Sequence, residues 1–306
     1  MNFNKLTVCT CAIFFLLLSA LTCAQQPIEL VTPYGTTTLT QAPKRILALE
    51  YSFIDSLLEL GVTPIAIAQG EVGEGFLPPY LAESMADLPN VGTRHQPSLE
   101  KILALKPDVI IADPLFNANI KTQLEKIAPT IMLDGITATP QMQMQAIELF
   151  GKMLNKENQA QQIITKLSQQ YNDLRTKNNH NHKTVLIGYI SEAGLFRSLT
   201  ANAMSTQILA DFGYKNIIAA VNERQSTPIT LESVFVKNPD VIIILLTDGN
   251  DQGYKALQKS SLWSQLTAVK QGKVFFFDRD IWARSHGVIA LRQKMDDLVN
   301  ANLINM

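Results

Sequence analysis

The chain has 306 residues, 46% apolar, 17% charged and 7% aromatic, which excludes disorder or a fibrous repeat and allows two domains with separate cores. Lys plus Arg total 26 against 27 for Asp plus Glu, so a net charge of -1 gives no electrostatic basis for binding nucleic acid or an anionic membrane. Any partner is then recognised by a local site.

The first element is an apolar run. Lys5 precedes Leu6 to Leu21, and Thr22-Cys23-Ala24 closes the run with small residues. That is the pattern of a secretory signal peptide cleaved near Ala24, and it is short for a bilayer span. All three cysteines, Cys9, Cys11 and Cys23, lie within it, so the mature chain is expected to hold no disulfide and no Cys-ligated zinc. Two alternatives stay open: an uncleaved membrane anchor, and lipid attachment at Cys23, to which Ala20-Leu21-Thr22 is a poor match. A soluble exported protein is the favoured reading.

From Gln25 short β-rich runs alternate with helical patterns, the signature of parallel sheets wrapped by helices. Strands are predicted at Arg45–Leu49, Pro64–Ala68, Val109–Ala112 and Thr130–Leu133. Ser52-Phe53-Ile54-Asp55 fits a capping box, and Gly61 fits the end of the helix that follows. Residues 140–177 carry no strand signal and are rich in Gln, Lys, Met and Leu. They read as two helices broken near Leu154-Asn155, the second spanning about 33 Å at 1.5 Å per residue. Strands near Val185–Tyr189, Val241–Leu246 and Lys273–Phe277, with a helix at Ala203–Phe212 closed by Gly213, make a second lobe. The expected organisation is a signal peptide at 1–24, an α/β lobe at 25–140, connecting helices at 141–178 and a second α/β lobe at 179–306.

A weak repeat links the lobes. Ser98-Leu99-Glu100-Lys101-Ile102 leads to Pro107-Asp108-Val109, and Thr230-Leu231-Glu232-Ser233-Val234 leads to Pro239-Asp240-Val241, at a constant offset of 132 residues. Each copy reads as an N-cap, a first-turn glutamate, a short helix, a Pro-Asp turn and a buried strand. The helix dipole favours each glutamate whatever the protein does, whereas two at matching positions could dock a symmetric basic partner.

No Walker loop, G-x-G-x-x-G, G-x-S-x-G or H-E-x-x-H occurs, so no catalytic residues and no intrinsic cofactor are expected. His180 and His182 would need further ligands to hold a metal. Arg94, Arg197 and Arg284 are predicted in loops beyond strand ends, where open α/β sheets place ligands. Guanidinium matches carboxylate oxygens with paired donors, so three converging arginines suggest an anionic ligand with several oxygens. Trp282 and Phe53 could supply apolar walls, and Glu50 and Tyr51 point to the same cleft. A carboxylate there fits an anionic ligand only if it pairs with an arginine. Arg45 and Arg279 are less suggestive, Arg279 because an Asp-Arg-Asp turn offers local ion pairs.

Pro43-Lys44-Arg45-Ile46-Leu47-Ala48-Leu49, Val91-Gly92-Thr93-Arg94 and Leu99-Glu100-x-Ile102-x-x-Leu105-x-Pro107-Asp108 resemble the ferric-siderophore class of periplasmic solute-binding proteins. Leu49-Glu50-Tyr51-Ser52-Phe53 and Asp278-Arg279-x-x-Trp282-x-Arg284 are similar to the iron(III)-dicitrate-binding members. The resemblance implies two Rossmann-like α/β lobes joined by one long helix, the class III arrangement. It implies a monomer that carries a ferric chelate in the periplasm to an inner-membrane ABC permease. Arg94, Arg197 and Arg284 would hold the chelate, which supplies all of the iron's ligands, and Glu100 and Glu232 would dock on permease arginines. The segment Gly194–Ser198 departs from the family's glycine-rich loop. Catecholate and hydroxamate chelates, haem (through His286 or Tyr51), cobalamin and a two-lobed metal-cluster or chelatase-like enzyme are the alternatives.

Overall fold

The computed structural model describes residues 26–69, 77–178, 182–190, 195–222, 225–247 and 250–305. The expected signal peptide with Cys9, Cys11 and Cys23, and also His180, lie outside the described residues. Among the described residues no helix is long and apolar enough to cross a membrane.

The chain opens on an antiparallel hairpin, β1 (Ile28–Thr32) and β2 (Gly35–Leu39), whose Thr-rich second strand has too little apolar alternation to be read from sequence. Then β3 (Ile46–Ala48), β4 (Ile67–Gln69), β5 (Asn90–Thr93), β6 (Val109–Ala112) and β7 (Thr130–Met132) form a parallel sheet in the order β5-β4-β3-β6-β7. The order in which strands are added reverses between β3 and β6, which run parallel, and a doubly wound sheet opens a crevice outside the carboxyl ends of such a pair.

The second lobe holds β8 (Thr184–Ile190), β9 (Phe196–Leu199), β10 (Lys215–Asn216), β11 (Ser226–Pro228), β12 (Val241–Leu246) and β13 (Val274–Asp278). Its order is β11-β9-β8-β12-β13, with β10 also on β8. The parallel expectation needs correcting here, because β9 runs antiparallel to both β8 and β11.

Side chains alternate between the two faces of each sheet, which a period of two requires. Ile46, Ala48, Val109, Ile111, Val185, Ile187, Val241 and Ile243 join one apolar core that runs through both lobes. Leu47, Ile110 and Ala112 face a second core. Leu186, Ile242 and Ile244 face a third. Both sheets are thus covered on two sides.

Helices Pro140–Met153 and Glu157–Asn178 lie between the sheets in sequence. Asn155 at φ +55° breaks them, and the 22-residue second helix spans about 33 Å. A further tie joins segments far apart in the chain. Asp55 accepts the N–H groups of Ile289 (2.8 Å) and Ala290 (3.0 Å), capping the Val288–Asn300 helix, and Tyr80 Oη donates to it at 2.8 Å. Arg292 pairs with Glu59 at 2.7 Å beside it.

This corrects the predicted capping box at Ser52. The Tyr51–Glu59 helix starts after Glu50 without a side-chain cap, and Asp55 instead serves a helix start more than 230 positions further on.

Candidate functional site

On the first lobe the carboxyl ends of β3, β5 and β6 bring Glu50, Arg94 and Asp113 together. Arg94 directly follows β5. Its N–H donates to the Gln69 carbonyl (2.9 Å) and its carbonyl accepts from Asn117 Nδ2 (3.0 Å), so the backbone is fixed on both sides. Gly92 makes the approach possible: at φ +111° a Cβ would lie 2.9 Å from the Gln96 carbonyl oxygen.

The Arg94 Nη1 donates to both Glu50 oxygens, at 2.8 and 3.0 Å, and the guanidinium lies 4.2 Å from the centre of the Tyr51 ring. Glu50 is 0% exposed. Burial pushes its carboxyl up to about 7, Arg94 opposes that rise, and the Asp113 charge adds to it. Asp113 is itself buried and accepts the N–H groups of Leu115, Gly135 and Ile136.

On the second lobe the expected loop position of Arg197 is corrected: it lies in β9, opposite Tyr189 of β8, because β9 returns antiparallel. Arg197 Nη2 reaches Ser226 Oγ at 3.4 Å. Arg279, directly after β13, stacks on the Tyr189 ring at 3.8 Å. Burial alone would raise the Tyr189 hydroxyl, but the Ser226 hydrogen bond and the charges of Arg279 and Arg197 outweigh it and lower the pKa. Arg284 stands in a helical turn, Asp280–Arg284, rather than a loop, and pairs with Asp280 at 2.5 Å.

His286 is buried and held neutral, its pKa well below the usual imidazole value through burial and then the positive charges of Lys294 and Arg94. Arg94 therefore acts electrostatically on a residue 192 positions further along the chain.

Two expected walls contribute no surface. Phe53 is 0% exposed and meets Phe150 edge to face. Trp282 is 0% exposed, stacks on Phe277 and donates its indole N–H to Asp297 at 2.8 Å. Tyr51 is also covered, by Arg94. Sequence reasoning overlooked Asp113 and Asn117, although an Asp-Pro step directly after a strand is a helix-start signal, and it set Arg279 aside.

Glu100 and Glu232 are exposed in the first turns of helices Leu99–Leu105 and Leu231–Lys237, with Ser98 and Thr230 as N-caps. A separate groove of about 660 Å³ lies between the hairpin and the connecting helices. None of the strand-end arginines lines it, and its rim of Glu29, Asp134, Glu148 and Glu157 disfavours an anion. Among the described residues no group of three or more His, Cys, Asp or Glu is placed to hold a metal ion.

The family model described as "Periplasmic binding protein" matches residues 46–281. The chain is 32% identical to the Fe(3+) dicitrate-binding periplasmic protein FecB of Escherichia coli, covering 87% of each chain. It is also 32% identical to the Fe(3+)-citrate-binding protein YfmC of Bacillus subtilis, covering 87% of this chain and 82% of that one. The siderophore-binding protein BauB, solved with two molecules of acinetobactin and ferric iron, superposes with a TM-score of 0.75 at 26% identity, over 89% of this chain and 97% of that chain.

Proposed function

This chain belongs to the periplasmic binding protein family, and we propose that it captures an anionic ferric chelate, iron(III)-dicitrate foremost, between the carboxyl ends of its two sheets. It then delivers the chelate to an inner-membrane ABC permease without making or breaking a bond. The observation that carries the reading is the placement of cations. The Arg94 guanidinium lies on Tyr51 beside Glu50 on one sheet, Arg197 and Arg279 meet at the Tyr189 ring on the other, and Arg284 stands in the turn that follows β13. Charge-assisted hydrogen bonds from guanidinium to carboxylate in a site partly shielded from water supply affinity and orientation. A chelate that already surrounds its iron needs no ligand atom from the protein.

Periplasmic residence follows from the signal-peptide reading of residues 1–24. Monomeric action follows from two lobes that each contribute to one site. Glu100 and Glu232, matched by the repeat, would meet basic residues on two similar halves of the permease. Exposed apolar side chains lie beside them, Leu103 at 59% and Val236 at 82%, and give that docking an area beyond two ion pairs. A catecholate chelate is the second reading, because Tyr189 under Arg279 offers a planar surface to an aromatic ring.

Isothermal titration with iron(III)-citrate, iron-free citrate and a ferric catecholate tests this. Saturable binding of ferric citrate, weakened about 10- to 100-fold in Arg94→Ala and Arg284→Ala, is expected from the loss of charge-assisted hydrogen bonds. Preference for the catecholate would move the ligand within the same site. Absence of binding to every anionic chelate, or binding indifferent to both substitutions, would overturn the reading.

A further inference from the structure

Glu50 is an unusual neighbour for an anion site. Both of its oxygens accept from Arg94 Nη1, so an anionic ligand at Arg94 shares that guanidinium with Glu50. Water cannot take over the carboxylate, because the chain closes around it. The Gly135 backbone comes so near that a Cβ there would lie 2.8 Å from Glu50 Cγ and 2.5 Å from Ser52 Oγ. We propose that the Glu50 carboxylate takes up one proton when an anionic chelate binds at Arg94, so that capture is proton-linked. The inference rests on the anion-site reading above.

The groups facing this carboxylate come from four elements. Arg94 approaches from the end of β5, Asp113 from the end of β6 and Tyr80 from helix Pro79–Met85, while Tyr51 donates its own backbone N–H. Of these only Arg94 is a cation. Any negative charge brought to Arg94 shares its field and adds repulsion to that of Asp113, which favours the neutral acid.

The carboxyl already stands at about 7 beside Arg94, raised by burial, so anion binding moves it higher still. At a pH above 7 the site binds the chelate and a proton together; below 7 the proton is already present. Affinity therefore falls as pH rises above 7. His286, on which Arg94 acts from across the fold, is held neutral and takes no part in this range. Lys294 also titrates near 7, but the carboxylates acting on it are Asp55 and Asp297.

The test is calorimetry with iron(III)-citrate at pH 6 and pH 8, in buffers of different ionisation enthalpy, on the wild type and Glu50→Gln. The wild type is expected to take up close to one proton at pH 8 and almost none at pH 6. Its affinity should fall about tenfold more across that interval than the variant's, the chelate's own protonation being common to both. Saturable binding with no proton uptake by the wild type, or equal pH slopes in the two proteins, overturns the inference while leaving the site intact. The wild-type proton count stands alone if Glu50→Gln does not fold. Failure of both iron(III)-citrate and a ferric catecholate to bind at either pH overturns the anion-site reading and this inference with it.

Discussion

Lys294 lies among the largest fully buried side chains, at 0% exposure, with its Nζ donating to the Ser285 carbonyl at 2.6 Å. Burial lowers its pKa to about 7, against the pull of Asp55 and Asp297. The ordinary value is near 10.4, so the unfolded chain binds more protons than the folded chain between about 7 and 10.4. Stability withheld below pH 7 is therefore regained as pH rises through that interval. Lys294→Met removes the penalty: it should stabilise at pH 7, and its advantage over the wild type should shrink by about 1.4 kcal/mol per pH unit on going to pH 9. Urea unfolding at the two pH values measures this, and a difference that stays flat would mean the Ser285 hydrogen bond governs the site. The same residue scale explains Phe53 and Trp282. A sequence marks an aromatic as apolar without saying whether it faces a cleft or a core.

The repeat is where element and sequence agree most closely. Ser98 and Thr230 each accept the backbone N–H three residues on, and both helices end in a left-handed residue, Lys106 at φ 47° and Asn238 at φ 41°. The Pro-Asp turns then fasten neighbouring strands. Asp108 Oδ2 accepts the N–H groups of Lys44 and Arg45 at 2.8 Å each, ahead of β3. Asp240 Oδ2 accepts the Thr184 N–H (2.8 Å) and hydroxyl (2.7 Å) at the start of β8. Replacing either aspartate by Ala should cost about 1–3 kcal/mol by urea unfolding, and the pair should be close to additive because the sites lie on different sheets. The hydrogen bonds from Thr184 lower the Asp240 pKa, so its contribution is present above the ordinary carboxyl range and lost as pH falls through its lower folded value. Neutral-pH costs below a few tenths of a kcal/mol would show that the strands need no such fastening.

At the scale of the molecule, the Glu157–Asn178 helix leads from one sheet to the other, and the cap that Asp55 places on the Val288–Asn300 helix ties the end of the chain to its first helix. One apolar core runs through both lobes as well. Such a frame opposes the large hinge closure of two-lobed binders whose linkers are flexible strands. Small-angle scattering should find that saturating chelate changes the radius of gyration by less than about 1 Å. Asp55→Ala, which leaves the helix N–H groups without their acceptor, should allow a larger change and speed amide exchange at Ile289 and Ala290. A closure of several ångströms in the wild type would refute the rigid frame.

The α/β class, the repeat, the break at Leu154-Asn155 and the strand-end position of Arg94 were all readable from the chain alone, because each depends on periodicity, capping chemistry or turn residues over a few positions. The antiparallel return of β9, the surrender of Asp55 to a distant helix, the core positions of Phe53 and Trp282 and the Arg279–Tyr189 stack were decided only by the tertiary structure. Each depends on which segments meet across more than a dozen residues. Local preference says little about such meetings, since the burial, partner and charge of a side chain are properties of the neighbours that folding brings to it.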